Sequence, residues 1–128
     1  MQKRRLGRTG LQVSVIGFGG IPIISASRSE AGDVVKYAFE RGINYFDTAR
    51  NYGDSEEKIG SSLSDVRDEI VLASKVLQRT KRDAARAGLK QTLRNLQTDR
   101  IDLMQLHGID NDEVLRKVMA EDGAMACF

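Results

Sequence analysis

Apolar positions along this chain switch between two spacings. Short β-prone runs, Ile43–Phe46, Ile70–Lys75 and Ile101–His107, end in or run into polar residues. Between them lie stretches with helical spacing. Val34, Val35, Ala38 and Phe39 fall on one face of a helix predicted to start near Ser29, with Gly42 as its C′ glycine. Asp54 and Glu57 have capping-box spacing ahead of a short helix through Ile59 to Leu63. Thr80 is the expected cap of the next helix, with Asp83 in its first turn. Ala85, Leu89, Leu93 and Leu96 form its predicted buried stripe. A fourth helix is predicted from Asn111 to Met119, and Glu121 to Phe128 shows no pattern. Before the first helix, residues 3–6 and 11–13 flank Gly7-Arg8-Thr9-Gly10, which predicts a β-hairpin. Val13 to Gly20 reads as a strand running into a glycine-rich end, and Ile21 to Arg28 as a loop with the sole proline, Pro22.

After the hairpin the order is strand, helix, repeated four times. Regular alternation with short connections predicts βαβ units and a parallel sheet. The strand ends are loaded. One ends at Asp47, the next at Lys75, the next at His107, and Tyr52 follows Asp47 by five residues. Parallel α/β folds deliver all carboxyl ends to one edge, where sites form. Alternation then groups the residues: Ile43, Tyr45 and Asp47 share a face, as do Val71, Ala73 and Lys75, and Leu103, Gln105 and His107.

Composition narrows the class. The chain has 128 residues, 41% hydrophobic and 30% charged, enough for one domain with a core. A net charge of +2 with interspersed signs gives no footprint for nucleic acid. Lys3-Arg4-Arg5 reads as a solvated strand face. Cys127 is the sole cysteine, which precludes an internal disulfide or a cysteine-built metal site and suits a reducing compartment. Lys3-Arg4-Arg5 is followed by no apolar signal segment, and no apolar run is long enough to span a membrane. A cytoplasmic protein is expected.

The loaded ends suggest a chemistry. A free tyrosine, with a pKa of about 10, is a poor acid near neutrality. An adjacent ammonium stabilises its phenolate. Asp47 paired with Lys75 would keep that ammonium charged and placed. His107 and Tyr52 would both donate to a carbonyl oxygen, polarising it and protonating the developing alkoxide. No side chain here donates hydride, so a cofactor must. Singly, Asp47 with Lys75 also fits a structural ion pair, His107 a hydrogen-bonded histidine and Tyr52 a packed aromatic. Their occurrence together at successive strand ends favours a catalytic set. One histidine without a second ligand at motif spacing gives no metal site. Gly17-Phe18-Gly19-Gly20 is not a Rossmann fingerprint, because Pro22 stands where the third glycine belongs. Glycines at a strand end still permit close approach of a planar ligand.

These residues resemble the aldo-keto reductases, specifically their bacterial-type branch. The motifs are Leu6-Gly7-Arg8-Thr9-Gly10-Leu11, Gly17-Phe18-Gly19-Gly20, Phe46-Asp47-Thr48-Ala49-Arg50-Asn51-Tyr52-Gly53, Ser74-Lys75 and Asp102-Leu103-Met104-Gln105-Leu106-His107. They run from Arg5 to about Ala126. The resemblance implies a (β/α)₈ TIM barrel reducing aldehydes or ketones with NADPH or NADH. It implies a tetrad of Asp47, Tyr52, Lys75 and His107, with Tyr52 as proton donor, Lys75 as the group making it more acidic, Asp47 as partner of Lys75, and His107 orienting the carbonyl. Gly19, Gly20 and Asp47 would line the nicotinamide end of the cofactor. A complete barrel takes about 250 residues. Residues 1–128 are therefore expected to be a single partial domain, the amino-terminal half of such a barrel. The open edges of a half barrel would permit self-association. The alternatives are a non-catalytic module that senses nucleotide or contacts partners, and an inactive truncated fragment.

Overall fold

A computed structural model describes residues 1–77 and 80–128. Strands β1 (Lys3–Arg5) and β2 (Gln12–Ser14) form an antiparallel hairpin in which Arg4 faces Val13, as the glycine-bounded turn predicted. Strands β3 (Phe18–Gly19), β4 (Tyr45–Asp47), β5 (Val71–Val76) and β6 (Leu103–Leu106) then make one parallel sheet in sequential order. Helices α1 (Arg28–Glu40), α2 (Ser55–Leu63), α3 (Arg82–Asn95) and α4 (Asp112–Met119) alternate with these strands.

The main core lies between the sheet and its helices. Phe46 of β4 and Leu72 of β5 pack there with Ala31, Val35 and Ala38 of α1, Ile59 and Leu63 of α2, and Leu96 after α3. Burying a side chain such as Phe46 contributes about 1.5–3 kcal/mol. A second cluster joins Val76 to Ala85 and Ala124, with Met104 and Leu106 against it. Strand alternation therefore sends Phe46, Leu72, Val76, Met104 and Leu106 to the helices. Tyr45, Asp47, Ala73, Lys75, Leu103 and Gln105 go to the opposite, inner face.

The predicted strand from Val13 to Gly20 is broken in two. Ser14 and Asn44 bond each other instead of continuing a ladder: Ser14 N–H donates to Asn44 Oδ1 at 2.7 Å, and Asn44 N–H donates to Ser14 Oγ at 3.1 Å. Asn44 Nδ2 also donates to the Gln12 carbonyl at 2.9 Å. This latch ends the hairpin, leaves Val15 and Ile16 exposed, and lets the chain turn into β3.

Helix boundaries differ in their caps. Helix α1 is capped by Ser27, whose Oγ accepts from Glu30 N–H at 3.2 Å, while the Glu30 carboxylate accepts from Ser27 N–H at 2.9 Å. That capping box starts the helix at Arg28, and its buried face is Ala31, Val35 and Ala38, with Val34 exposed. Gly42 closes the helix as expected. At φ +88° its N–H donates to the Phe39 carbonyl, and Ile43 N–H donates to Ala38, a Schellman motif. The box expected from Asp54 and Glu57 does not form, because the Asp54 carboxylate pairs with Lys58 Nζ at 2.6 Å. Thr80 does not cap α3. Lys81 holds that position, and the exposed first-turn Arg82 N–H donates to the Asp122 carbonyl at 2.8 Å. The buried stripe of α3 is also more polar than predicted. Ala85, Thr92 and Asn95 are buried and Leu96 follows them, whereas Leu89 and Leu93 are half-buried. Asn111 caps α4, its Oδ1 accepting from Val114 N–H at 2.9 Å, at the predicted start.

Candidate active site

Three parallel strands bring the polar tips together through their register. Asp47 lies beside Ala73, and Lys75 beside Gln105. The small Ala73 leaves room for Lys75, one pleat further along, to reach back to Asp47. Lys75 Nζ donates to Asp47 Oδ1, and to the Thr48 carbonyl at 3.0 Å. Gln105 Nε2 donates to Asp47 Oδ2 at 3.0 Å. Both carboxylate oxygens are thus engaged. The Lys75 side chain is 14% exposed and that of Asp47 29%, so the pair is sheltered but not dry.

Tyr52 arrives from the loop after β4. That loop is tied down by Thr48 N–H to the Ala73 carbonyl at 2.9 Å and Arg50 N–H to the Lys75 carbonyl at 3.2 Å. Tyr52 N–H then donates to the Ala49 carbonyl at 3.0 Å, forming a tight turn into α2. The Tyr52 ring comes to rest with Lys75 Nζ 5.0 Å from its centroid. His107, held at the end of β6 by its N–H to the Val76 carbonyl at 3.0 Å, meets the same ring edge-on at 5.8 Å. All four residues singled out from the sequence therefore share one corner of the inner face.

Electrostatics distinguish the two tyrosines of this region. Burial pushes the Tyr45 phenol above its usual range, and the negative charge of Asp47 adds to the effect. Tyr45 is thereby held protonated. Tyr52 instead has the Lys75 ammonium against its ring.

The glycines behave differently from each other. The position of a Cβ on Gly19 has no atom within 4 Å, so that side of β3 is open. A Cβ on Gly20 would lie 2.4 Å from Ser55 Oγ and 3.0 Å from Thr48 Oγ1. Gly20 thus lets the strand end close onto α2, while its N–H donates to the Asp47 carbonyl at 2.8 Å. His107 Nδ1 is buried and has no hydrogen-bond partner among the described residues. An open glycine edge and a fixed ammonium fit a flat polar ligand laid across the strand ends.

Three residues were not foreseen. Gln105 falls on the inner face by alternation, but nothing in the sequence names its partner. Lys58 is 2% exposed and donates to the carbonyls of Ile23 at 3.0 Å, Ile24 at 3.1 Å and Ala26 at 2.7 Å, stapling the loop after β3 to α2. Glu56 is 1% exposed and accepts from four side chains. Among the described residues, no helix is long and apolar enough to cross a membrane.

The chain is similar to known proteins over most of its length. The oxidoreductase YqkF of Bacillus subtilis (strain 168) is 35% identical over 121 residues, covering 84% of this chain and 39% of that protein. The holo form of the aldo-keto reductase AKR11C1 from Bacillus halodurans matches with a TM-score of 0.79 at 35% identity, over 91% of this chain and 45% of that one. The aldo/keto reductase from Klebsiella pneumoniae in complex with NADP and acetate matches with a TM-score of 0.75 at 28% identity, over 95% of this chain and 47% of that one. The chain thus spans less than half the length of these relatives, and its four parallel strands with outer helices match part of a TIM barrel of the aldo-keto reductase type. The Aldo/keto reductase family profile covers residues 15–126, and the chain belongs to that family.

Proposed function

We propose that this chain carries the acid–base groups of an NAD(P)H-dependent reductase of aldehyde or ketone carbonyls. The observation that supports this most is the placement of Lys75, held by Asp47 and set 5.0 Å from the Tyr52 ring centroid. A positive charge there stabilises the negative charge that develops on the phenol oxygen as its proton leaves. Tyr52 is the proton donor in this reading, and His107, edge-on to the same ring, directs an imidazole N–H at the carbonyl oxygen. Asp47 keeps Lys75 in place, and Gln105 keeps Asp47 in place.

The cofactor would lie with its nicotinamide against Gly19 and Asp47, and Gly20 holds that rim against α2. A bound NADPH or NADH supplies the hydride that no side chain can. The relative from Klebsiella pneumoniae in complex with NADP supports this choice. The substrate would be a small carbonyl compound. Residues 1–128 would act as one unit, the amino-terminal half of a larger barrel. The free sides of β3 and β6 are where self-association would occur. A cytoplasmic setting accords with the sole cysteine.

The test is cofactor-dependent reduction of an aldehyde panel by the wild-type protein and by Tyr52→Phe, with cofactor binding followed separately. Loss of nearly all turnover with binding retained supports the reading. Turnover kept by Tyr52→Phe removes the proton-donor role. A second reading, a nucleotide-binding or partner-contacting module, draws support from the four-stranded sheet, which leaves the inner face open. Cofactor binding by the wild type without turnover of any aldehyde favours it.

A further inference from the structure

Glu56 is an unusual residue to bury between two helices and a sheet. An isolated carboxylate is strongly disfavoured in such a place unless its oxygens are fully bonded. Here they are. Oε1 accepts from Ser74 Oγ at 2.8 Å and Thr92 Oγ1 at 2.9 Å. Oε2 accepts from Arg50 Nη1 at 3.0 Å and Asn95 Nδ2 at 2.9 Å. Helix packing alone would be met by an apolar side chain of similar volume, which avoids the desolvation of a charge.

The choice of partners suggests another purpose. Ser74 immediately precedes Lys75, and alternation sends Ser74 to Glu56 while Lys75 faces the site. Arg50 lies two residues before Tyr52. Its side chain is held by Glu56, and its backbone N–H by the Lys75 carbonyl. One carboxylate, outside the site, therefore grips the strand that carries Lys75 and the loop that carries Tyr52. Thr92 and Asn95 anchor that carboxylate to α3.

We infer that Glu56 is a positioning residue that sets the Lys75–Tyr52 geometry by clamping Ser74 and Arg50 together. This rests on the proposal that Lys75 and Tyr52 act as a pair. Loss of the clamp would let the Tyr52 loop and the end of β5 move relative to each other, even in a folded chain.

The experiment is nuclear Overhauser spectroscopy on the 128-residue chain, independent of turnover. The signals read are cross-peaks from the Tyr52 ring to the His107 ring and to the Lys75 ε-methylene. Glu56→Gln keeps the shape but puts an amide donor where one oxygen accepted two bonds. It is expected to lose at least half the intensity of both cross-peaks while a cooperative melt persists. If Glu56→Gln does not fold, Ser74→Ala, which deletes one clamp donor, is expected to weaken the Lys75 cross-peak in the same way. Thr92→Val, which touches only the α3 anchor, is expected to lower the melting temperature and leave both cross-peaks. Cross-peaks unchanged in folded Glu56→Gln, or in Ser74→Ala where that variant is needed, overturn the positioning role and leave the reductase reading standing. Cross-peaks absent from the wild type overturn the positioning role together with the pairing it rests on. Turnover by Tyr52→Phe, measured separately, tests the reductase reading without changing what the cross-peaks report about geometry.

Discussion

Gln105 donates to the oxygen of Asp47 that Lys75 leaves free, at 3.0 Å from Nε2 to Oδ2. The carboxylate therefore has a charged partner on one side and a neutral one on the other. A carboxylate with a single partner would be free to rotate about its Cβ–Cγ bond. With two, its plane is set, and the Lys75 ammonium is set with it.

Replacing Gln105 by Leu tests that relationship. The variant is expected to fold and to lose about 1.5 kcal/mol, at the low end for a bond to a charged group, because water reaches the half-buried Asp47. Urea unfolding of the two proteins measures the difference. Equal midpoints would show that water replaces the amide without loss.

Lys58 binds three carbonyls of the loop after β3 from a side chain that is 2% exposed. Lys58→Met fills similar space but takes the ammonium away from those carbonyls, of which that of Ile23 keeps the Ala26 N–H. Each buried unsatisfied group costs about 1–3 kcal/mol, and partial rehydration of the loop makes the expected total about 3 kcal/mol. Hydrogen exchange should quicken at the Ile24 and Ala26 amides, whose bonds to the Ile21 and Ile23 carbonyls close that loop. Unchanged exchange there with unchanged stability would sink the staple.

The same lysine gives the fold an acid limb through Asp54. The bond from Lys58 holds the Asp54 carboxyl below its usual range against a smaller opposing effect of burial, and the Lys58 charge adds a lesser lowering. A lowered carboxyl favours the folded state above the unfolded value of about 3.9, and that contribution disappears as pH falls through the folded value. Asp54→Asn lacks it at every pH. The stability gap between wild type and Asp54→Asn is therefore expected to be constant from neutrality to about pH 5 and to shrink below about pH 4. A gap that does not change between those limits contradicts this account.

Ser27→Ala removes one bond of the capping box and is expected to cost about 1 kcal/mol, with thermal melts as the measure. Thr80→Ala serves as its contrast. Thr80 has the sequence of a cap but not the position, so its replacement should change stability by less than about 0.5 kcal/mol.

The strand–helix alternation, the parallel sheet, the hairpin, the Gly42 terminator and the start of the last helix at Asn111 were all legible in the residue pattern. So were Asp47, Lys75, His107 and Tyr52 as a group. The reason is that each depends on local rules: period-two burial along a strand, positive φ at a helix end, and the convergence of parallel strand ends. Candidate caps at Asp54 and Thr80 were misleading because other groups competed for them. Asp54 turned to the buried ammonium of Lys58, and the Asp122 carbonyl supplied the acceptor at the start of α3.

What the sequence determined by itself is therefore the order of elements and the four polar tips delivered to one edge. Tertiary structure alone decided how those tips are held. Gln105 meets Asp47 across 58 residues, Ser14 meets Asn44 across 30, and Glu56 meets Ser74, Thr92 and Asn95 across 18, 36 and 39. A buried polar side chain takes whichever partner the packed fold brings within about 3 Å, and no periodicity in the chain encodes that distance.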